Sequence, residues 1–157
     1  MKIHLWSVGK VNDSYVKEGI DTYTKKISHY FNVKWTIIPS PKNSGMMSEM
    51  DLRLKEGQTI LELLHPTDFF VLLDEKGKQF TSELLADFIQ QRANESVRQL
   101  IFLIGGAYGV HENVTKRADH CWSISQLVFP HQLVRLILSE QIYRACTILR
   151  NEKYHHS

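Results

Sequence analysis

Three glycines within five residues form the part of the sequence that is best suited to bind a ligand. Gly105, Gly106 and Gly109 follow an apolar run and precede a segment with helical spacing. Glycine has no side chain, so its backbone can approach a ligand closely and can adopt a positive φ. The segment is therefore interpreted either as a tight turn between a strand and a helix or as a nucleotide-binding loop.

The spacing of these glycines narrows the class of nucleotide. The pattern is GGxxG rather than GxGxxG, and it follows the fourth predicted strand instead of the first. A dinucleotide site also needs an acidic residue about 20 positions further on, but residues 123–125 are Ser-Ile-Ser. A phosphate-binding GxxxxGKS or GxxxxGKT motif is absent from the sequence. These features favour an adenosine ligand without phosphates, held by backbone groups and apolar contacts.

A second candidate loop joins a predicted strand to the last helix. Ser123 and Ser125 end the strand, and the apolar residues Leu127, Val128 and Phe129 follow before a proline. Small hydroxyl side chains can cap a turn, which is the structural interpretation. In the functional interpretation, backbone N–H and C=O groups read an adenine edge while the apolar side chains enclose the ring.

Apolar residues lie nearly all around the last predicted helix, which covers residues 134–150. Such a helix needs cover on more than one side, so it is either buried inside the monomer or shared between the sheet and a second subunit. We favour the shared arrangement, because a chain of 157 residues has few layers. Glu140 and Arg144 are four residues apart and are expected to pair, which would fix the register of that contact.

The C-terminal residues combine cations, an aromatic ring and imidazoles. Arg150, Lys153, Tyr154 and His155 lie within residues 150–157. The tail is either a frayed terminus or a segment that contacts an anionic substrate bearing a base. In the second case, Tyr154 would stack on a base while the two cations meet phosphate.

Composition places the protein among ordinary globular proteins. Its 157 residues predict one domain covering 1–157, with 43% hydrophobic and 23% charged residues. A net charge of +2 permits a nucleic-acid partner without requiring one. The eight histidines and two cysteines show no metal-ligand spacing, so no metal is predicted. Apolar runs are too short to span a membrane and no leader is recognised, so the predicted location is the cytoplasm.

Predicted strands and helices alternate along the sequence. The strands cover residues 2–8, 32–38, 68–73, 98–104 and 121–125. The helices run from residues 12–14 to 28 and cover 46–64, 81–93, 111–118 and 134–150. This alternation, with continuous apolar runs in the strands, predicts an α/β fold whose parallel sheet is covered on both faces. Ligands bind at the carboxyl ends of such strands, so chemistry is expected in the loops after Leu73, Ile104 and Ser125.

Five segments, in this order, resemble one known family. They are LLD at 72–74, IGGAYG at 104–109, FPHQLVR at 129–135, EQIYRA at 140–145 and YH at 154–155. Together they resemble the bacterial SPOUT-class methyltransferases that modify a pseudouridine in 23S rRNA, and the resemblance extends over the whole sequence. It implies methylation of N3 of a pseudouridine in the helix 69 stem-loop, with the assembled ribosome as the preferred substrate.

The same resemblance carries expectations about fold, donor and assembly. It implies a mostly parallel sheet of five or six strands with helices on both faces and a trefoil knot towards the C-terminus, although threaded chains are rare. It implies S-adenosylmethionine as the methyl donor and a homodimer whose two subunits build the RNA site. The residues that match the family's donor-binding positions are Leu73, Gly105, Ile124, Ser125, Gln126, Leu127, Val128 and Phe129.

The catalytic candidates lie in the tail and in the last helix. Methyl transfer from a sulfonium is a direct displacement, so alignment of donor and acceptor matters most. The N3 proton must leave, and His155 is the first candidate for the base because imidazole titrates near neutral pH. His131 is the second candidate. Arg135 and Arg144 are expected to steady the nucleobase or a phosphate, and Tyr154 is expected to contact the base.

Two other functions remain open from the sequence. A nicotinamide or flavin oxidoreductase could use the same sheet, although the acidic residue that binds ribose is missing. A non-catalytic ribosome-binding factor would have no affinity for S-adenosylmethionine. Titration of the purified protein with this donor separates the ribosome-binding factor from a methyltransferase, and a visible-range or fluorescence signature would indicate an oxidoreductase.

Overall fold

Five parallel strands form the centre of the fold. In the computed structural model, which describes residues 1–156, the strands are β1 (Lys2–Val8), β2 (Asn32–Ile38), β3 (Phe69–Gln79), β4 (Gln99–Ile104) and β5 (His120–Ser123). Their order across the sheet is β2-β1-β4-β3-β5, and every neighbouring pair is parallel. The prediction of a parallel sheet is confirmed, with five strands rather than six. The knot stays a prediction from the family resemblance.

Helices cover both faces of this sheet, as predicted. They are α1 (Ser14–Ile27), α2 (Glu49–Leu63), α3 (Ser82–Asn94), α4 (Glu112–Arg117) and α5 (His131–Leu149), with one 3-10 turn at Ser44–Met46. One apolar cluster joins the sheet to α1, α3 and α5 through Ile27, Leu85 and Leu138. A second cluster joins the other face to α2 and α4 through Ile60 and Val114. Among residues 1–156, no helix has the length and apolar character needed to cross a membrane.

The apolar run in β4 is explained by its central position. The strand lies between β1 and β3, and helices cover both of its faces, so its apolar residues do not meet water. Leu100 and Phe102 point into the cluster under α1, α3 and α5, whereas Ile101 and Leu103 point into the cluster under α2 and α4. A strand that is buried on both faces needs apolar residues at every position.

Helix α2 begins later than predicted, and not all of its apolar residues are buried. The prediction placed its start at residue 46, but the helix begins at Glu49, because the hydroxyl of Ser48 accepts the N–H of Asp51 and caps it. Met50 and Leu54, two apolar residues of this helix, are 68% and 38% exposed. The residues that α2 buries are Leu52, Glu56, Gly57 and Ile60. A buried glutamate and a buried glycine are not recognised by a search for apolar spacing.

Strand β3 is longer than predicted, and helix α5 begins earlier. The prediction ended β3 at residue 73, but the strand continues to Gln79. Both Leu73 and Lys78 pair with Trp122 of β5, so residues 74–77 bulge out of the ladder. This charged segment lacks the apolar pattern on which the prediction rested. Helix α5 starts at residue 131 rather than 134, directly after Pro130.

Candidate active site

A cavity of about 530 Å³ lies beside the bulge in β3 and at the carboxyl ends of β4 and β5. Segments 73–76, 104–110 and 124–129 line it, apart from Gln126, together with Thr115, Trp122, His131 and Val134. Binding sites for small molecules typically have a volume of roughly 300–1,000 Å³. The three segments expected to carry chemistry, after Leu73, Ile104 and Ser125, therefore meet around one cavity of suitable size, although the first is a bulge within β3 rather than a loop after it.

The bulge in β3 forms one wall of the cavity. A Cβ on Gly77 would lie 2.7 Å from the backbone carbonyl carbon and oxygen of Cys121, so only glycine permits this close approach of the two strands. Within the bulge, the N–H of Lys76 donates to Asp74 Oδ1 at 2.9 Å. Asp74, Glu75 and Lys76 all line the cavity, so this wall carries two carboxylates and one ammonium group.

The glycine loop after β4 is a tight turn with a specific need for its glycines. Gly109 has a φ of 79°, and its N–H donates to the carbonyl of Gly106 at 3.1 Å. A Cβ on Gly105 would lie 2.7 Å from Val110 Cγ1, which is closer than two carbon atoms can pack. The turn therefore presents backbone atoms to the cavity, as expected for a ligand-binding loop.

The loop after β5 is capped by its serines, as the structural interpretation predicted. The hydroxyl of Ser123 donates to the carbonyl of Ser125 at 3.0 Å. The N–H of Leu127 in turn donates to the hydroxyl of Ser125 at 2.9 Å. Leu127 and Val128 are 70% and 83% exposed, although both line the cavity. These apolar side chains are available to enclose the ring of a ligand.

Most residues predicted to bind the donor lie around this cavity. The seven that line it are Leu73, Gly105, Ile124, Ser125, Leu127, Val128 and Phe129. Gln126 lies outside the lining. Trp122, Thr115 and Val134 line the cavity without having been predicted, because single apolar or polar residues inside a strand or helix give no local signal. The bulge residues Glu75 and Lys76 were missed because a charged segment gives no sign of a buried strand.

His131 joins the cavity from the first turn of α5. Burial, and then the neighbouring guanidinium of Arg135, lowers the pKa of His131 below its ordinary value of 6.5. The imidazole is therefore neutral at neutral pH. A neutral ring at this position does not repel a positively charged ligand.

Arg135 is buried outside the cavity lining and forms hydrogen bonds with the N-terminal part of its own chain. Its side chain is among the largest buried ones, with 1% exposure. Nε donates to the hydroxyl of Ser7 at 2.7 Å, and Nη1 donates to the carbonyl of Lys10 at 2.7 Å and to Asn12 Oδ1 at 3.0 Å. The guanidinium thus ties the start of α5 to the loop between β1 and α1. This arrangement gives Arg135 a structural role, and its side chain does not line the cavity.

Replacing Arg135 by alanine should lower the free energy of unfolding by about 2 kcal/mol, because the change leaves a cavity and removes three hydrogen bonds. Chemical denaturation monitored by circular dichroism measures this change. Lys55→Ala removes a cation from an exposed position and serves as the control, with no measurable loss expected. An Arg135→Ala protein as stable as the wild type would contradict the structural role.

The C-terminal tail docks against α3 and α5 of its own subunit. Nε2 of His155 bonds Glu83 Oε1 at 2.8 Å, and its Nδ1 lies 3.3 Å from Nη1 of Arg144. The hydroxyl of Tyr154 donates to Glu140 Oε1 at 3.0 Å. The same oxygen accepts from Arg144 at 2.6 Å, so the expected pair between these two helical residues is confirmed. Both tail residues lie outside the cavity of their own subunit.

The ring of Tyr154 is held by neighbouring side chains. It packs edge-on against Tyr143 with ring centroids 4.7 Å apart, and the Arg144 guanidinium lies 4.8 Å from its centre. Burial, followed by hydrogen bonds involving Tyr23 and Glu140, raises the pKa of Tyr154 well above its usual range. The phenol therefore keeps its proton. Stacking of this ring on a base requires the tail to leave its present position.

Within the described residues 1–156, no cluster of three or more histidine, cysteine, aspartate or glutamate side chains is placed to hold a metal ion. The two cysteines, Cys121 and Cys146, are free thiols. Burial raises the pKa of Cys146 to about 12, so this thiol is unreactive at neutral pH.

Comparison with known proteins identifies the family. A family model described as "Predicted SPOUT methyltransferase" matches residues 1–155. The ribosomal RNA large subunit methyltransferase H of Cytophaga hutchinsonii is 47% identical over 156 residues, which cover 99% of this chain and 100% of the relative. The proteins of the same name from Christiangramia forsetii and Parabacteroides distasonis are 46% and 44% identical, and each match covers 99% of both proteins.

These matches decide between the functions that the sequence left open. They extend along the whole sequence and include the glycine loop, the loop after β5 and the tail residue His155. An oxidoreductase and a non-catalytic factor are therefore not retained. The chain belongs to the SPOUT methyltransferase family and is a methyltransferase.

Proposed function

We propose that the protein, as a single domain over 1–157, transfers the methyl group of S-adenosylmethionine to N3 of a pseudouridine in 23S rRNA, in helix 69 of the assembled cytoplasmic ribosome. The names of the relatives, ribosomal RNA large subunit methyltransferase H, support the class of substrate. The observation that carries the proposal is the single cavity around which seven expected donor-binding residues meet.

The residues around the cavity fit this donor. Backbone atoms of the glycine loop and apolar side chains of the loop after β5 suit an adenosine group, and the volume of about 530 Å³ suits a molecule of this size. Asp74 and Glu75 supply negative charge at the wall, which attracts a cationic ligand. When bound, the donor supplies a methyl group on a positively charged sulfur.

The tail is the segment that we propose to contact the RNA. His155 would take the proton that leaves N3 as the new N–C bond forms, and Arg144 would balance negative charge on the base or phosphate. Because Tyr154 and His155 lie outside the cavity of their own subunit, we propose a homodimer in which the RNA site is built from both subunits.

Mass mapping of 23S rRNA tests the whole proposal. RNA from cells with the protein should carry one methyl group more, on a single pseudouridine, than RNA from cells that lack it. Re-expression of the wild-type protein should restore the methyl group. Identical masses for the two RNA samples would reject the proposed substrate.

Donor binding should weaken as the pH falls, because His131 is neutral when the site is empty and protonation adds a positive charge beside a cationic ligand. The pKa of His131 is already lowered by burial, so affinity should be constant above pH 6.5 and should fall below it. Titration calorimetry between pH 5 and pH 8 measures this as a rise in the Kd for the donor towards pH 5. His131→Gln should remove the pH dependence, and an unchanged profile in this variant would refute the assignment.

A further inference from the structure

Glu56 is a buried carboxyl group beside the glycine loop. It lies on α2 and is 6% exposed. Ser40, just after β2, donates from its hydroxyl to Glu56 Oε2 at 3.0 Å. A Cβ on Gly106 would lie 2.6 Å from Glu56 Oε1. The side chain therefore reaches along the carboxyl edge of the sheet, from the end of β2 to the loop after β4.

The contact with Gly106 is a close steric fit. The carboxyl group of Glu56 fills the space that a larger residue at position 106 would need. Gly106 lines the cavity, whereas Glu56 lies outside it. The next residue, Gly57, lets α2 approach closely, since its Cβ would lie 3.2 Å from the Cβ of His111 at the start of α4. Helix α2 is thus packed against both the glycine loop and the helix that follows it.

Burying a carboxyl group at position 56 costs free energy, and this cost would be unnecessary if the side chain only had to fill space. Burial raises the pKa of Glu56, and the hydrogen bond from Ser40 opposes that shift. No cation among residues 1–156 forms an ion pair with Glu56. An apolar side chain would fill the same space without desolvating a polar group, but it would lose the hydrogen bond to Ser40. One carboxyl oxygen of Glu56 accepts the hydrogen bond from Ser40, and the other lies beside Gly106 in the glycine loop.

We propose that Glu56 is a positioning residue that holds the glycine loop in the shape that binds the methyl donor. It acts through Gly106 and contacts neither the donor nor the RNA. Ser40 contributes by fixing the orientation of the carboxyl group. The inference rests on the proposed function, because it takes the cavity as the donor site.

Titration of the purified full-length protein with S-adenosylmethionine tests this role. Glu56→Ala should raise the Kd for the donor about tenfold, which corresponds to roughly 1.4 kcal/mol. Glu56→Gln should stay within about twofold of the wild type, because the amide has the same shape and its oxygen accepts from Ser40. Ser40→Ala should give an intermediate Kd. The KM for RNA should not change in any of these variants.

Glu62 lies exposed on the same helix, so Glu62→Ala is the matched control and should bind the donor like the wild type. Wild-type affinity in Glu56→Ala, or a loss in Glu56→Gln as large as in Glu56→Ala, would overturn the inference. If Glu56→Ala does not fold, Ser40→Ala decides, and an unchanged Kd in that variant overturns the inference. A wild-type protein that does not bind the donor would instead reject the proposed function.

Discussion

Replacing Gly105 by valine should abolish measurable binding of the methyl donor. Even the first carbon of a side chain at this position would lie 2.7 Å from Val110 Cγ1, and the two further methyl groups of valine would project from a residue that lines the cavity. Overpacking of this kind is relieved only if Val110 or the backbone of the loop shifts. We expect the Kd for S-adenosylmethionine to rise by more than about 100-fold, or nearly 3 kcal/mol.

Titration calorimetry with a stability control measures this effect. Gly45→Val is the matched control, because a Cβ on Gly45 meets no atom within 4 Å, and it should bind the donor normally. Gly105→Ala combined with Val110→Ala should recover much of the affinity that Gly105→Ala alone loses, since the clashing methyl group is removed. Normal donor affinity in Gly105→Val would place the donor site elsewhere.

The location of the cavity could be predicted from the sequence because it depends on topology. Continuous apolar runs, such as residues 100–104 in β4, mark strands buried on both faces, and such strands are parallel and central. The carboxyl ends of parallel strands lie at one edge, so the segments after Leu73, Ile104 and Ser125 were expected at that edge, and the strand order β4-β3-β5 makes them neighbours. The family resemblance then supplied which residues of these loops face the donor.

The features that were not predicted depend on contacts between distant residues. The FPHQLVR segment contains Arg135, but nothing nearby shows that its partners are Ser7, Lys10 and Asn12, which are more than 120 residues away. The burial of Glu56 was not predicted for a similar reason. The residue beside its carboxyl group, Gly106, lies in the loop after β4, far from helix α2 in the sequence. From the sequence alone, a charged residue is expected to be exposed to solvent, unless the residues that contact it are known.

Replacing His155 by alanine should slow methyl transfer about 100-fold while leaving donor affinity unchanged, since a general base typically contributes about 10²–10⁴-fold. In the docked tail, Nδ1 of His155 faces the guanidinium of Arg144, which can only donate, so Nδ1 is the acceptor nitrogen. Nε2 then carries the hydrogen and donates it to Glu83. When the ring is neutral, these contacts therefore favour the tautomer in which Nδ1 can accept a proton.

Single-turnover kinetics on ribosomes distinguish a role of His155 as the general base from a role in holding the tail in its docked position. His155→Gln keeps an amide that can bond Arg144 and Glu83 but cannot take a proton at neutral pH, so it should be as slow as His155→Ala. His156→Ala changes an exposed neighbour and should retain the full rate. Added imidazole should restore part of the rate of His155→Ala, because it supplies the missing base. If His155→Gln reacts at the wild-type rate, the tail holds the RNA and the proton leaves N3 by another route, for which the neutral His131 in the cavity is the remaining imidazole.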